Sequence, residues 1–232
     1  MNVLAVDGAL GAFSTAVARD GKILASECQS GAIALERGLG MIESVRRSAR
    51  VTAAQIERLA VGIGPGSFTG LRIAITYAKS LAFVWKRPLV PIDSFELLEY
   101  GGGFERVLSV VVGRPGVISA RYRSGSTLRR ASGRIAEVLD VVLPLDGVYP
   151  ERSRGARGDA AVGDGALSVV GAPKDVLDAL AERAIIVRVF DPAVMPAAAA
   201  AALAAATRAP ATSVHEVSAD YGELPAARQP KF

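Results

Sequence analysis

The sequence predicts an α/β fold, and three observations carry that prediction. The stretch Gly62–Ile73, GIGPGSFTGLRI, joins an apolar run to a long apolar helix through a glycine-rich turn. The N-terminus supplies strand after strand before any helix. Half of the 232 residues are hydrophobic, enough to bury a substantial core in one domain or two small ones.

Asn2–Val6 is the first strand, ending at Asp7-Gly8. Phe13–Ala18 is the second, and the turn signal Asp20-Gly21 leads into a third at Lys22–Glu27. A carboxylate at the first turn, Asp7, has two readings. It can hold a hydrated magnesium ion beside nucleotide phosphates, or bond its own backbone as a turn residue. Ile33–Arg50 reads as a helix, with Leu35, Leu39, Ile42, Val45 and Ala49 on one face. Gly38 and Gly40 inside it either permit a close helix crossing or mark a later helix start.

The next strand, Leu59–Ile63, must end before Pro65, which has no N–H to donate. Ser67 or Thr69 then caps a helix over Phe68–Trp85. A strand, a glycine-rich turn and a helix N-terminus also make the geometry of a phosphate site, with Gly66, Ser67, Phe68, Thr69 and Gly70 as its candidate residues beside Asp7. The same pattern serves equally as a tight turn with no ligand. This helix is apolar on most of its circumference, so a sheet covers one side and a second helix or another chain must cover the other.

Pro88 ends that helix. Leu89–Ile92 is a strand, Asp93 or Ser94 caps a short helix through Leu98, and Gly101–Gly103 reads as a linker. Beyond it, Val107–Val112 and Val117–Tyr122 form an antiparallel pair and Ile135–Val142 a helix. Glu151–Asp159 is a polar loop, Asp175–Arg183 a helix, Ile185–Val189 a strand, and Pro196 to about Thr207 an Ala-rich helix. The arginines Arg121, Arg123, Arg129, Arg130 and Arg134 read as a solvated face, without the aromatic pattern of an RNA-binding motif.

One cysteine and one histidine argue against a zinc or iron site built from such ligands. No basic leader or long apolar run is evident, which predicts a cytoplasmic chain with no membrane contact.

The block AVGIGPGSFTGLRIA, with AKSLAF at Ala78–Phe83 and PLVPIDSFELL at Pro88–Leu98, resembles the TsaB (YeaZ) family. The N-terminal VLAVDGAL and the later AVGDGA at Ala161–Ala166 are similar to weaker family motifs. The resemblance is specific over about the first hundred residues. It implies an actin-like, Hsp70-like, sugar-kinase fold of two related lobes, at 1–100 and 101–232. It also implies a non-catalytic scaffold subunit in synthesis of threonylcarbamoyladenosine on tRNA. In that role the chain pairs with the catalytic relative TsaD, together with TsaE, and forms a homodimer when alone. It meets tRNA only through the complex. The first two helices build the family's dimer surface, which places Leu35, Leu39, Ile42, Arg72, Tyr77 and Leu81 at an interface.

Gly8-Ala9-Leu10 stands where the family has a hydroxyl-rich run, so no tightly bound cofactor is expected, with ATP or ADP at the partner interface instead. The competing readings are an ATP-dependent phosphotransferase or a glycoprotease-like enzyme of the same fold. The second lacks the paired histidines of a metal site.

Overall fold

The computed structural model describes residues 1–31, 37–143, 166–206 and 209–222. It contains two five-stranded sheets. In the first, β1 (Asn2–Asp7), β2 (Ala12–Arg19) and β3 (Lys22–Ser30) run antiparallel, while β4 (Arg58–Gly64) and β5 (Leu89–Asp93) lie parallel to β1, in the order β3-β2-β1-β4-β5. The second contains β6 (Arg106–Arg114), β7 (Val117–Ser124), β8 (Thr127–Arg134), β9 (Leu167–Val170) and β10 (Val187–Phe190). Its order, β8-β7-β6-β9-β10, repeats the first strand for strand. The duplication gives the two related α/β lobes of the actin-like, sugar-kinase arrangement.

The first sheet is covered on both faces because its strands alternate. Leu4, Val6, Val17, Leu59 and Val61 point to one side. There α1 (Gly38–Ser48) contributes Met41, Ile42 and Val45, and α2 (Phe68–Trp85) contributes Leu71, Ala74, Ile75, Ala78 and Ala82. Val3, Ala5, Ala16, Ala18 and Ala60 point to the other side, where the Ala-rich helix α6 (Pro196–Ala206) lies. Alanine on both surfaces lets helix and sheet approach closely. Arg58 closes the far end by donating to the Ala204 carbonyl at 2.8 Å, a basic group at a helix C-terminus. The end of the chain thus returns to the first sheet, although the sequence places all of 101–232 in the second lobe.

The second sheet packs one face on α4 (Ile135–Val142) and α5 (Lys174–Glu182), through Leu108, Val110, Ile118, Ala120 and Tyr122. Its other face meets α3 (Ser94–Glu99).

Two expected helix caps resolve to single residues. Ser67 Oγ accepts the Gly70 N–H at 3.3 Å, and Asp93 Oδ1 accepts the Phe95 N–H at 2.7 Å. Among the described residues the first helix runs from Gly38 to Ser48; the expected start at Ile33, and Leu35 with it, lie outside the described residues. A side chain on Gly38 would meet Tyr77 Cε2 at 2.5 Å and Phe13 Cζ at 2.9 Å, which is the close crossing. The loop at 151–159 and the motif at 161–166, apart from Ala166, also lie outside the described residues. Strands β8 and β9 had no signal in the sequence reading.

Candidate functional site

Two regions carry the expected site residues, the glycine-rich turn and the outer face of α1 and α2. At the turn, β1 ends in Asp7, which is fully buried. Its Oδ2 accepts the N–H groups of Ala9 at 3.2 Å and Leu10 at 3.4 Å. Its Oδ1 lies against Gly62 on β4 and has no hydrogen-bond partner among the described residues. Burial pushes the carboxyl up from 3.8 to about 6, and the two backbone donors pull it back only in part.

Above Asp7, two backbone segments touch. A Cβ on Gly8 would overlap the Gly70 carbonyl, and one on Gly70 would overlap that of Gly8. Gly66 lies as close to the Ala9 carbonyl, which accepts the Ser67 N–H at 2.8 Å. These glycines exist for backbone-on-backbone packing.

The arrangement does not fit a phosphate or its magnesium ion. Asp7 is sealed from solvent, the Ser67 N–H is already bonded, and the space between the turns is filled by main chain. Phe68 and Thr69 are exposed, but the nearby cation, Arg72, lies over the Phe68 ring at 5.3 Å. Among the described residues, no three His, Cys, Asp or Glu side chains gather as metal ligands.

The helical face divides the expected interface residues. Leu39 is 53% exposed on α1, and Arg72 is exposed on α2. Ile42 is corrected: it is buried in the core between α1 and the sheet and offers a partner nothing. Leu81 is half-buried against the same core. Tyr77 is half-buried with its ring edge-on to Phe13 at 6.0 Å, so it supports the α1–α2 crossing, while also lining a shallow groove with Phe68, Arg72 and Ile73. Phe83 and Val84, outside the expected interface set, are 68% and 70% exposed near the end of α2. Val84 belongs to the second apolar side of the helix, with Ile73, Tyr77 and Leu81; Phe83 falls on neither apolar stripe.

Of the five arginines read as a solvated face, Arg129, Arg130 and Arg134 are exposed, and the reading is corrected for Arg121 and Arg123. Arg121 is only 13% exposed and pairs with Glu99 at 3.0 Å; Arg123 pairs with Glu99 at 3.2 Å, and Arg130 with Asp93 at 3.0 Å. Arg121 and Arg130 reach Asp93 at the end of β5 and so tie the second sheet to the first, while Arg123 is held by Glu99 on α3.

A family model described as "TsaD: tRNA N6-adenosine threonylcarbamoyltransferase" matches residues 35–147. The tRNA threonylcarbamoyladenosine biosynthesis protein TsaB of Escherichia coli (strain K12) is 32% identical over 122 residues, which cover 51% of this chain and 53% of that protein. TsaB of Bacillus subtilis (strain 168) is 32% identical over 66 residues, 28% of this chain and 29% of that protein. YeaZ from Pseudomonas aeruginosa superposes with a TM-score of 0.63, covering 95% of this chain and 99% of that one at 23% identity. Over its first half the chain resembles the TsaB (YeaZ) family, and over nearly its whole length it shares the YeaZ fold. The Pseudomonas structure shows that the family fold extends over the second lobe, where sequence likeness is thin. The chain spans about half the length of the E. coli relative it matches and less of the others. Among the described residues, no helix is long and apolar enough to cross a membrane.

Proposed function

We propose that this chain is a non-catalytic subunit in tRNA threonylcarbamoyladenosine synthesis that docks, through α1 and α2, on the catalytic chain TsaD. The observation that carries the reading is the exposed apolar set on those two helices: Leu39, Phe68, Phe83 and Val84. Large apolar side chains left exposed on packed helices are the kind of surface that partners cover. In this reading TsaE joins the same assembly, tRNA is met only through it, and a second copy uses the face when the chain is alone. The work takes place in the cytoplasm. The filled turn above Asp7 supports a chain that holds no nucleotide by itself, with any ATP or ADP at the partner interface. It weighs against a phosphotransferase. The lack of a gathered metal-ligand set among the described residues weighs against the glycoprotease-like alternative.

The test is a pair of charge insertions. Leu39→Glu and Phe83→Glu each place a carboxylate where association would strip its water, at a cost of several kcal/mol. A micromolar complex has only about 8 kcal/mol of binding energy in total. Both variants are expected to keep the wild-type circular dichroism, lose association with TsaD in sedimentation, and fail to support tRNA modification with purified partners. If both stay associated and active, the docking face is elsewhere. Tyr77 is avoided, because a charge there would disturb Phe13 and Gly38.

A further inference from the structure

The sheet does not cover the inner flank of α2 alone. Residues 211–222 run back along it. The Ala211 N–H bonds the Leu89 carbonyl at 2.9 Å, and Lys79 Nζ on α2 donates to the His215 carbonyl at 3.4 Å. Val217 is buried in the same core as Leu71 and Ala78, with Val214, Ala219 and Tyr221 packed beside it. The Asp220 N–H bonds the Ile63 carbonyl at 2.7 Å, and the Asp220 carbonyl lies against Gly64, where any side chain would collide with it. Tyr221 then stacks on Phe68, the first residue of α2, with ring centres 4.9 Å apart.

The segment is also tied to the second sheet. Arg130 on β8 donates through Nη2 to Asp220 Oδ2 and through Nη1 to Asp93 Oδ2 at 3.0 Å. The Gly222 N–H returns to Asp220 Oδ1 at 2.8 Å, and Gly222 sits beside the Ser119–Ser132 hydroxyl pair of β7 and β8. One guanidinium thus bridges the end of β5 to the chain's last described turn.

We infer that residues 211–222 form a latched strap: Arg130 holds Asp220, and Asp220 in turn sets Tyr221 against Phe68 at the start of α2. Arg130 is a positioning residue here. It touches no docking residue, and it acts through the backbone of Asp220 and Tyr221. The second lobe thereby gains a task in a chain whose proposed docking face belongs to the first. The strap and its latch stand without the docking reading; only the consequence for partner binding rests on it.

Amide hydrogen exchange on the full chain tests the latch. With Arg130→Gln, the amides of 217–222 and of the first turn of α2 are expected to exchange about fivefold faster, the scale of one partly exposed ion pair. Those of β1 should not change. Arg130→Lys, which keeps the charge and one contact, should fall between. Arg47→Gln, which breaks an ion pair on α1, should leave the strap alone. An Asp220 amide that exchanges as in the wild type overturns the latch, as does equal acceleration in β1, which would mean general loosening. The second arm measures association of Asp220→Asn with purified TsaD, expected to weaken about fivefold on the same scale. Unchanged association with a loosened strap removes the strap from docking, while Leu39→Glu still judges the docking face independently.

Discussion

The two sheets share a strand order and differ in what lies against them. Over β1, β2 and β4 the first is sealed on both faces, by α1 and α2 on one side and by α6 on the other, while its edge strand β3 is largely exposed. The second is packed by α4 and α5 on one face and by the short α3 on the other. On its other face Ser109, Ser119, Arg121 and Arg123 stand among Val107 and Val111. Arg121 and Arg130 sit directly opposite each other on β7 and β8, a like-charge pair that would repel on its own. They are held by Asp93 and by the Phe95 ring, which lies 5.1 Å from one guanidinium and 4.9 Å from the other. The same topology is therefore finished with apolar contact in one lobe and with charge in the other. The sealed lobe has little tolerance at its turns; the charged lobe tolerates more, and it fixes its neighbour through ion pairs.

Matched glycines expose the contrast most strongly. Gly8 follows β1, and Gly113 stands near the end of β6, the equivalent strand. Gly8→Ala drives a methyl group into the Gly70 carbonyl, and relief requires moving a helix start. It should cost about 3 kcal/mol or more. A methyl group at Gly113 meets nothing nearer than the Val117 carbonyl at 3.8 Å, and Gly113→Ala should stay within about 0.5 kcal/mol. Urea unfolding of both variants decides it. Equal costs would end the comparison.

Asp7 gives the next effect, about 3 kcal/mol for a shift of roughly two pH units. Its folded value, about 6, lies above the unfolded 3.8. The stability it contributes is therefore complete below about pH 4 and is lost as pH rises through 6. Asp93, also raised by burial, adds loss in the same direction. Unfolding free energy measured from pH 4 to 7.5 should fall, and Asp7→Asn should remove most of that slope. A parallel curve for the variant would show that Asp7 is not the titrating group.

Glu99 tests the charged lobe. It is 9% exposed and accepts from Ser109 at 2.6 Å and from Arg121 and Arg123. Glu99→Gln leaves two arginines short of a counter-charge, one of them nearly buried. A loss of about 2 kcal/mol is expected, less than for a fully buried pair. A neutral result would mean that apolar contacts through Phe95 and Leu98 suffice to join the sheets.

The sealed lobe was also the legible one. Its strands are apolar runs, its turns carry Gly and Pro, and the family motif falls on its most crowded backbone contact. Strand β8, TLRRASGR, is an edge strand whose first four residues are exposed, so no apolar alternation announces it. It exists because β7 offers a ladder and because Arg130 finds Asp93. The strap at 211–222 has no periodicity to read. Its bonds to Ile63 and Leu89 span more than a hundred residues, and no local spacing encodes them. The exposed helical face was only half legible. Periodicity grouped Leu39 with Ile42, but on a two-sided helix it could not say which of them faced the sheet.

The smallest single effect is at Gly40 in α1, and its contrast with Gly38 sharpens the account of the sealed lobe. Both lie near the helix start, and both carry ordinary helical backbone angles, since neither has a positive φ. Gly40 is exposed, with nothing within 4 Å of where its side chain would stand. Gly40→Ala should therefore raise stability by about 0.5 to 1 kcal/mol, because alanine restricts the unfolded chain and favours the helix. Gly38 stands two residues earlier and is buried. Alanine there gains the same propensity but meets Tyr77 Cε2 at 2.5 Å, and Phe13 behind it leaves the ring little room. Gly38→Ala should be destabilising by about 1 to 3 kcal/mol, the usual range for overpacking. Opposite signs, read from urea unfolding of the two variants, are the outcome required by a sealed face at the α1–α2 crossing. If Gly38→Ala also stabilises, Tyr77 moves freely, the crossing is loose, and the seal over this part of the first sheet is not the tight one described.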